Sequence, residues 1–279
     1  MKMLRCCKLN VLQWRIQPKY VLCIAFLILH MWSVLHGFLA YSTDLGHPMH
    51  PWLLPFLPGT YVSFTIMMVL FVFLICDAPF RNGQQQMVLL RVGKQQWIGA
   101  QLLYLLLASV CFAVLLWVLS WVFLLPNLEW SGEWGKAIQT AARTTALWNY
   151  VDMELSVQFL KGTTPMAGTL WTVGMMVGVC FLLGEIILVC NLWCKQGLGT
   201  AIAVGLVLLH CAIRTFSTLR YYHVLVWFSP VSWIDYSLMG HTNQNMPSYA
   251  YGIGMVLGLG AILAVGSIMT IHRCNLETE

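Results

Sequence analysis

Six runs of apolar residues, separated by more polar segments, dominate the pattern of this chain. A helix needs about 20 predominantly apolar residues to cross the hydrocarbon layer of a bilayer. The runs cover residues 20–41, 59–76, 97–125, 168–193, 198–218 and 250–272. The third run is longer than a bilayer requires, so we expect its helix to tilt or to protrude. The pattern predicts an all-α integral membrane protein, a six-transmembrane-helix bundle that forms one domain over residues 1–279.

Composition supports this prediction, because the chain has too little charge to cover a surface in water. Hydrophobic residues make up 59% of the 279 positions, and Asp, Glu, Lys and Arg together only 9%. A soluble domain has about 25% charged residues. The net charge of +5 is spread over short segments that flank the apolar runs. Nucleic-acid binding needs basic residues gathered on one face, so we expect a lipid bilayer as the surroundings and no nucleic-acid partner.

The distribution of basic residues predicts the orientation. Cytoplasmic loops of membrane proteins carry an excess of Lys and Arg near the ends of the spans. If both termini are cytoplasmic, ten of the 15 basic residues lie in cytoplasmic segments and five in outer segments. Most of the acidic residues also fall outside. We therefore expect a multi-pass protein of the plasma or inner membrane with both termini in the cytoplasm.

Three segments between or before the spans have patterns of their own. Residues 1–19 mix basic and apolar side chains, which is typical of an amphipathic helix on the cytoplasmic surface, although a basic tail that only sets the topology has the same composition. The outer loop 126–167 carries acidic residues and tryptophans and could form a short surface helix. In the outer loop 219–249, the apolar patch 224–228 precedes Ser-Pro-Val-Ser-Trp at 229–233. This patch is too short to span, so we expect a re-entrant outer segment before the last helix.

A polar cytoplasmic segment, residues 77–97, separates the second and third spans; we call it the elbow. Pro79 and Gly83 interrupt the second helix, and the following residues mix apolar side chains with Gln, Arg and Lys. Such a segment could dock a soluble partner. Its candidate contact residues are Arg81, Gln85, Arg91 and Lys94. The alternative is a solvated loop that only follows the positive-inside rule.

The layout of the chain resembles that of the ABC-2 type permeases. The shared features are six spans, a basic amphipathic N-terminus, a basic elbow before a long third span, and an apolar segment with Ser-Pro before the last span. The closest local match is Leu-Leu-Arg-Val-Gly-Lys-Gln-Gln-Trp-Ile-Gly-Ala-Gln-Leu-Leu at 89–103. The resemblance covers nearly the whole chain as a layout and extends to bacteriocin-immunity permeases of similar length.

This resemblance implies the membrane subunit of an ATP-driven exporter. The elbow would be the coupling helix that contacts a separate ABC ATPase subunit. Two six-span permease subunits, forming a homodimer or a heterodimer, would line the translocation path. Peptide export or self-protection is the role that the immunity permeases suggest.

The motifs of a nucleotide site and of common hydrolases are missing from the sequence. A P-loop requires Ser or Thr after its Gly-Lys pair, but Gly93-Lys94 is followed by Gln95. Neither the helical zinc-protease motif nor the nucleophile elbow of hydrolases occurs. We expect no enzymatic activity, no metal site and no cofactor in this chain, with ATP bound and hydrolysed on the partner subunit.

Four ionisable residues of the predicted spans are candidates for an intramembrane polar lining: His30, Glu185, His210 and Arg214. Such groups are costly in a bilayer and often mark a transport pathway. His210 and Arg214 are four residues apart and share one helix face. The alternative is that each group reaches an interface or is satisfied by a neighbouring helix. Coupling through these residues would favour an ATP-independent transporter or channel over the exporter, and a membrane-embedded immunity or assembly factor is a third hypothesis.

Overall fold

The computed structural model of the chain describes residues 2–79, 91–153, 155, 157–194, 197–216, 222–240 and 245–273. Within these ranges the regular elements are helical, apart from an isolated bridge between Met49 and Leu128. The helices are α1 (Lys2–Ile16), α2 (Pro18–Leu45), α3 (Tyr61–Ile75), α4 (Lys94–Val122), α5 (Lys136–Arg143), α6 (Val157–Gly162), α7 (Pro165–Trp193), α8 (Leu198–Thr215), α9 (Tyr222–Phe228) and α10 (Tyr249–Arg273). Short 3₁₀ turns lie at Leu54–Gly59, Leu125–Asn127, Ala146–Asn149, Pro230–Trp233 and Tyr236–Leu238.

Five of these helices, α2, α4, α7, α8 and α10, are long and apolar enough to cross a membrane. They confirm the prediction of a multi-pass, all-helical membrane protein by length and composition. The remaining predicted span corresponds to α3, which has 15 residues. At 1.5 Å per residue an α-helix of that length covers about 22 Å, less than the hydrocarbon thickness of about 30 Å. The length of α3 by itself therefore does not establish a sixth span.

The ends of the long helices follow from local chemistry. Helix α2 starts with Pro18 at a position that needs no backbone N–H, and it stops at Gly46, whose φ of 68° lies in the left-handed region. The Gly46 N–H is bonded to the carbonyl oxygens of Ser42 and Thr43, as in a glycine-terminated helix. Helix α7 starts with Pro165 after Thr164, whose hydroxyl accepts a hydrogen bond from the Ala167 N–H. These capping residues define where two of the long helices meet the loops.

Helix α7 is the central element of the bundle. In the most apolar stretch of α7, 56% of the residues are buried, whereas in the corresponding stretches of α2 and α10 only 22% are buried. It packs against α4, α8 and α10. The outer faces of α2 and α10 instead expose large apolar side chains, such as Leu22, Leu257 and Ile262. Apolar outer faces suit helices surrounded by hydrocarbon, whereas the central α7 buries the polar side chains of Thr169, Thr172, Glu185 and Asn191.

The N-terminal segment forms helix α1, which packs along the first half of α4. Asn10 donates from Nδ2 to Gln101 Oε1 over 3.2 Å, and Trp14 donates from Nε1 to the Tyr104 hydroxyl over 2.8 Å. The opposite side of α1 exposes Leu4 and Ile16 together with basic residues. The helix predicted within residues 1–19 is thus present and attached to the bundle.

The loops at the other end of the bundle pack into a cap. Within the predicted outer loop 126–167, α5 and α6 join through the Trp134 Nε1–H, which donates to the Thr163 carbonyl oxygen over 2.8 Å. The rings of Phe56, Trp134 and Phe159 lie against one another, with centroids 5.2–5.5 Å apart. The cap therefore ties the turn before α3 to the segment before α7.

Candidate functional site

The entry to the elbow, residues Cys76–Ala78, is held by three helices besides α3. Asn191, near the end of α7, donates from Nδ2 to the Ala78 carbonyl oxygen over 2.8 Å. Thr200 of α8 donates to the Cys76 carbonyl oxygen over 3.5 Å. Lys19, at the start of α2, forms an ion pair with Asp77. We call this group of contacts the elbow clamp.

Asn191 is the centre of the elbow clamp because its amide uses both of its ends. Its Oδ1 accepts hydrogen bonds from the backbone N–H groups of Gly197 and Gly199, each over 3.3 Å. These donors belong to the first turn of α8, where backbone N–H groups have no partner within the helix. Only 2% of Asn191 is exposed. One side chain therefore joins the segment that follows α3 to the end of α7 and the start of α8.

Two glycines make this geometry possible. Gly197 has a φ of 99°, a conformation that residues with a Cβ rarely adopt. A Cβ on Gly199 would lie 2.7 Å from the backbone of Ile187 and 3.1 Å from Asn191 Oδ1. The start of α8 can therefore approach the backbone of α7 only because position 199 carries no side chain.

The exit from the elbow is anchored separately. Gly93, with a φ of 89°, precedes α4, and Trp97 at the first turns of α4 is 3% exposed. Arg91 and Lys94 stand on either side of this exit, Arg91 exposed and Lys94 half-buried. The other two predicted contact residues, Arg81 and Gln85, lie outside the described residues.

His210 and Arg214, two of the four predicted intramembrane residues, lie together in a buried network. Arg214 donates from Nη2 to Asp235 and to the Ser237 hydroxyl. His210 Nδ1 lies 3.1 Å from Ser232 Oγ, and its Nε2 lies 3.4 Å from the Pro58 carbonyl oxygen. The network connects one face of α8 to the segment after α9 and to the turn before α3. His210 and Arg214 both lie on the face of α8 that this network covers.

The carboxyl group of Asp235 is the charge partner of this network and is almost fully buried. Burial by itself raises its pKa, but the adjacent Arg214 guanidinium, His210 and the Ser237 hydroxyl lower it, and the net result is a pKa below the usual value for Asp. The carboxylate is therefore ionised at neutral pH. Removal of one partner of such a buried pair would leave an uncompensated buried charge.

Glu185 and His30 do not join this network through any contact among the described residues. Glu185 is fully buried in α7, and neither carboxyl oxygen has a hydrogen-bond partner there. A Cβ on Gly260 of α10 would lie 3.3 Å from Glu185 Oε2, so the carboxyl group is directed at α10. His30 stacks on Phe26 of the same helix, with ring centroids 6.3 Å apart. The four predicted residues thus occupy three different places.

Sequence reasoning missed Asn191 and the role of Asp235. Asn191 stands in an apolar run, where a single amide is usually a packing residue, and only its proximity to Gly197 and Gly199 distinguishes it. Asp235 lies in the predicted outer loop 219–249, and its position in the sequence gives no sign of its partner Arg214 in α8. Among the described residues no group of three or more His, Cys, Asp or Glu side chains is arranged as a metal site.

Neither a protein-family model, nor a curated protein, nor a solved structure matches this chain. What defines its class is therefore its own fold: a multi-pass, all-helical membrane protein with a group of polar contacts near each end of α8. The elbow clamp surrounds Asn191. The second group comprises His210, Arg214, Ser232, Asp235 and Ser237, and we call it the outer clamp because three of these residues belong to the predicted outer loop 219–249.

Proposed function

We propose that the chain is the membrane-spanning permease subunit of an ATP-driven, ABC-2-like exporter that works with a separate ATPase chain. The observation that carries this proposal is the anchoring of both ends of the elbow. Its entry is bonded to α2, α7 and α8, and its exit continues into α4, on which α1 packs. A displacement of the elbow by an ATPase would therefore move most of the bundle rather than one loop.

The proposal includes six spans and a re-entrant segment. The sixth span is α3 together with the 3₁₀ turn Leu54–Gly59 that precedes it, whose residues are mostly buried. The re-entrant segment is α9 with the turn Pro230–Trp233. Its backbone is supported from within the protein, since Trp233 donates from Nε1 to the Val226 carbonyl oxygen over 2.9 Å. Irregular backbone at membrane depth requires such internal partners.

Coupling in this proposal runs from the elbow to the outer clamp. Helix α8 carries Thr200 of the elbow clamp at one end and Arg214 of the outer clamp at the other. A tilt of α8 would move the re-entrant segment that Asp235 anchors. Both termini would be cytoplasmic, the ATPase would contact Arg91 and Lys94, and a second permease subunit would complete the path.

The test is affinity purification of the tagged protein in mild detergent from cells that express its genomic neighbours. We expect a stoichiometric subunit with nucleotide-binding motifs, identified by mass spectrometry, to co-purify. Reversal of charge in Arg91→Glu/Lys94→Glu should abolish co-purification while the protein still inserts. The matched control is Lys136→Glu/Arg143→Glu, which reverses two exposed charges at the ends of α5. Retention of the ATPase by the elbow variant, or its loss from both variants, would contradict the proposal.

One observation favours a second candidate, an ATP-independent transporter: the two unpaired carboxyl oxygens of Glu185. A buried carboxyl group without a partner in a span is suited to binding and releasing a proton. In vesicles loaded with a pH-sensitive dye, this candidate requires proton flux that Glu185→Gln removes and that the elbow variant leaves intact. The exporter proposal expects no such flux from either protein.

A further inference from the structure

An elongated apolar cavity of about 220 Å³ lies between α1, α2, α3 and α4. Phe71 and Phe112 form two of its walls, and Ala108 of α4 leaves the space that a larger side chain would fill. Along α4 the lining extends from Tyr104 to Leu115, a distance of about 16 Å at 1.5 Å per residue. For comparison, an apolar cavity of about 150 Å³ accommodates benzene. The cavity is thus larger than one that holds a small apolar molecule.

The cavity opens toward the side of the bundle that faces hydrocarbon. At its margin, Cys111 of α4 is exposed and Ile24 of α2 is half-buried. The neighbouring residues Val110 and Val114 expose 39% and 41% of their side chains. An opening surrounded by exposed apolar side chains in a membrane-spanning region is accessible from lipid.

The end of the cavity near α1 is polar. The Tyr104 hydroxyl accepts from the Trp14 Nε1–H over 2.8 Å and lies 3.5 Å from the Tyr20 hydroxyl. One cation stands close to this end: Lys19 Nζ, which is ion-paired with Asp77, lies 4.9 Å from the centre of the Tyr20 ring. Along the cavity, the apolar walls are followed by hydroxyl and indole groups and finally by a positive charge.

We propose that this cavity binds a phospholipid from the leaflet next to α1, with one acyl chain between α2, α3 and α4. The order of the cavity's surfaces matches the order of groups in such a lipid: hydrocarbon tail, ester linkage and phosphate. An ester oxygen accepts from the Tyr20 hydroxyl, and the phosphate lies near Lys19 at the same end of the cavity. Lys19 also belongs to the elbow clamp, but the lining of the cavity contains no residue of either clamp, so the tests below do not depend on the exporter proposal.

The first test uses the full chain in vesicles of phosphatidylglycerol and phosphatidylcholine that contain a phospholipid with a photoreactive diazirine in its acyl chain. After illumination, mass spectrometry locates the labelled residues. We expect labelling at Ile24, Cys111 or Phe112 to exceed labelling on the exposed face of α10 at Leu257 and Ile262. Equal labelling of both faces would mean ordinary contact with bulk lipid and would overturn the proposal.

A matched pair of variants tests the cavity itself. Ala108→Trp fills the cavity, whereas Val110→Trp adds the same ring to the exposed face of the same helix. We expect Ala108→Trp to reduce cavity labelling by about tenfold, which corresponds to the contact of roughly two buried methylene groups. Val110→Trp should leave labelling unchanged. An equal reduction in both variants, or in neither, would contradict the proposal.

A measurement on the unmodified protein covers the case in which Ala108→Trp fails to fold. In detergent, added phosphatidylglycerol should slow alkylation of Cys111, at the margin of the cavity, by N-ethylmaleimide. Alkylation of Cys194, an exposed cysteine after α7, should be unaffected and serves as the internal control. If phosphatidylglycerol slows the alkylation of both cysteines to the same extent, or slows the alkylation of neither, the cavity does not hold the lipid.

Discussion

Asn191 Nδ2 lies 2.8 Å from the carbonyl oxygen of Ala78 and donates a hydrogen bond to it across 113 positions of the chain. The same amide accepts two backbone N–H groups at the start of α8. Three chain segments therefore depend on one buried side chain. Asn191 stabilises the fold because the backbone groups that it bonds would otherwise be buried without a partner. Each such unsatisfied buried group costs about 1–3 kcal/mol.

The first prediction concerns Asn191. Asn191→Leu keeps the approximate volume but removes the donor to Ala78 and the acceptor for Gly197 and Gly199. We expect the free energy of unfolding to fall by about 3 kcal/mol, because buried backbone groups lose their partners. Thermal unfolding in detergent, followed by tryptophan fluorescence, measures the change. Asn149→Leu, at an exposed position, should change stability by less than about 0.5 kcal/mol; similar losses in both variants would refute the role of Asn191.

The second prediction concerns the close approach of α8 to α7. Gly199→Ala places a Cβ 2.7 Å from the backbone of Ile187, and since backbone atoms cannot move aside locally, we expect a loss of about 1–3 kcal/mol. Gly205 of the same helix has no atom within 4 Å of the added Cβ. Gly205→Ala should therefore stabilise the protein by about 0.5–1 kcal/mol through its effect on the unfolded chain. Unfolding of both variants under one set of detergent conditions compares them, and a loss in Gly205→Ala as large as in Gly199→Ala would rule out a specific contact.

The third prediction concerns the ion pair between Arg214 and Asp235. Arg214→Met leaves an ionised, buried Asp235 without its main partner, and breaking a buried pair in this way costs about 3–5 kcal/mol. Arg214→Met/Asp235→Asn removes both charges and should recover most of the loss. A double-mutant cycle of unfolding free energies measures the coupling. Additive losses in the double variant would show that the two residues act independently.

The fourth prediction is a pH dependence of the same pair. Because the pKa of Asp235 is lowered in the folded protein, its contribution is complete above the unfolded value of about 3.9 and disappears as the pH falls through the folded pKa. Between pH 5 and pH 8 it should stay constant. In Arg214→Met, burial instead becomes dominant and raises the pKa of Asp235, so stability should decrease as the pH rises above about 4. The test is to measure the unfolding temperatures of the original protein and of Arg214→Met between pH 4 and pH 8. If the unfolding temperatures of the two proteins change with pH in parallel, Arg214 does not set the pKa of Asp235.

The fifth prediction concerns Glu185. Glu185→Gln preserves the shape of the side chain but removes the possibility of a charge, and neither carboxyl oxygen has a hydrogen-bond partner to lose. We expect the unfolding free energy to remain within about 1 kcal/mol of the original or to increase, because a buried unpaired carboxylate is more costly than an amide. Glu129→Gln, at an exposed position, serves as the control. A loss of several kcal/mol in Glu185→Gln alone would reveal an ionic partner for this residue in the assembled protein.

The amino-acid sequence by itself determined the class of this protein and the positions of its long helices. Predicted runs such as 168–193 and 198–218 correspond closely to α7 and α8. This part was accessible because insertion of a helix into a bilayer depends on about 20 consecutive residues and not on distant contacts. The exception among the predicted spans is the apolar run 59–76, because α3, the helix that it contains, has only 15 residues.

Tertiary structure alone decided which polar residues meet. Four ionisable residues of the predicted spans suggested one lining, yet only His210 and Arg214 share a network, and its charge partner, Asp235, comes from another segment. Asn191 carried no signal of its own, because its partner Ala78 lies in the segment that follows α3, 113 positions away along the chain. The physical reason is that hydropathy is a property of neighbouring residues along the chain, whereas hydrogen bonds between helices depend on how the helices pack. Small residues such as Gly199 influence that packing through contacts with segments that are distant in the sequence.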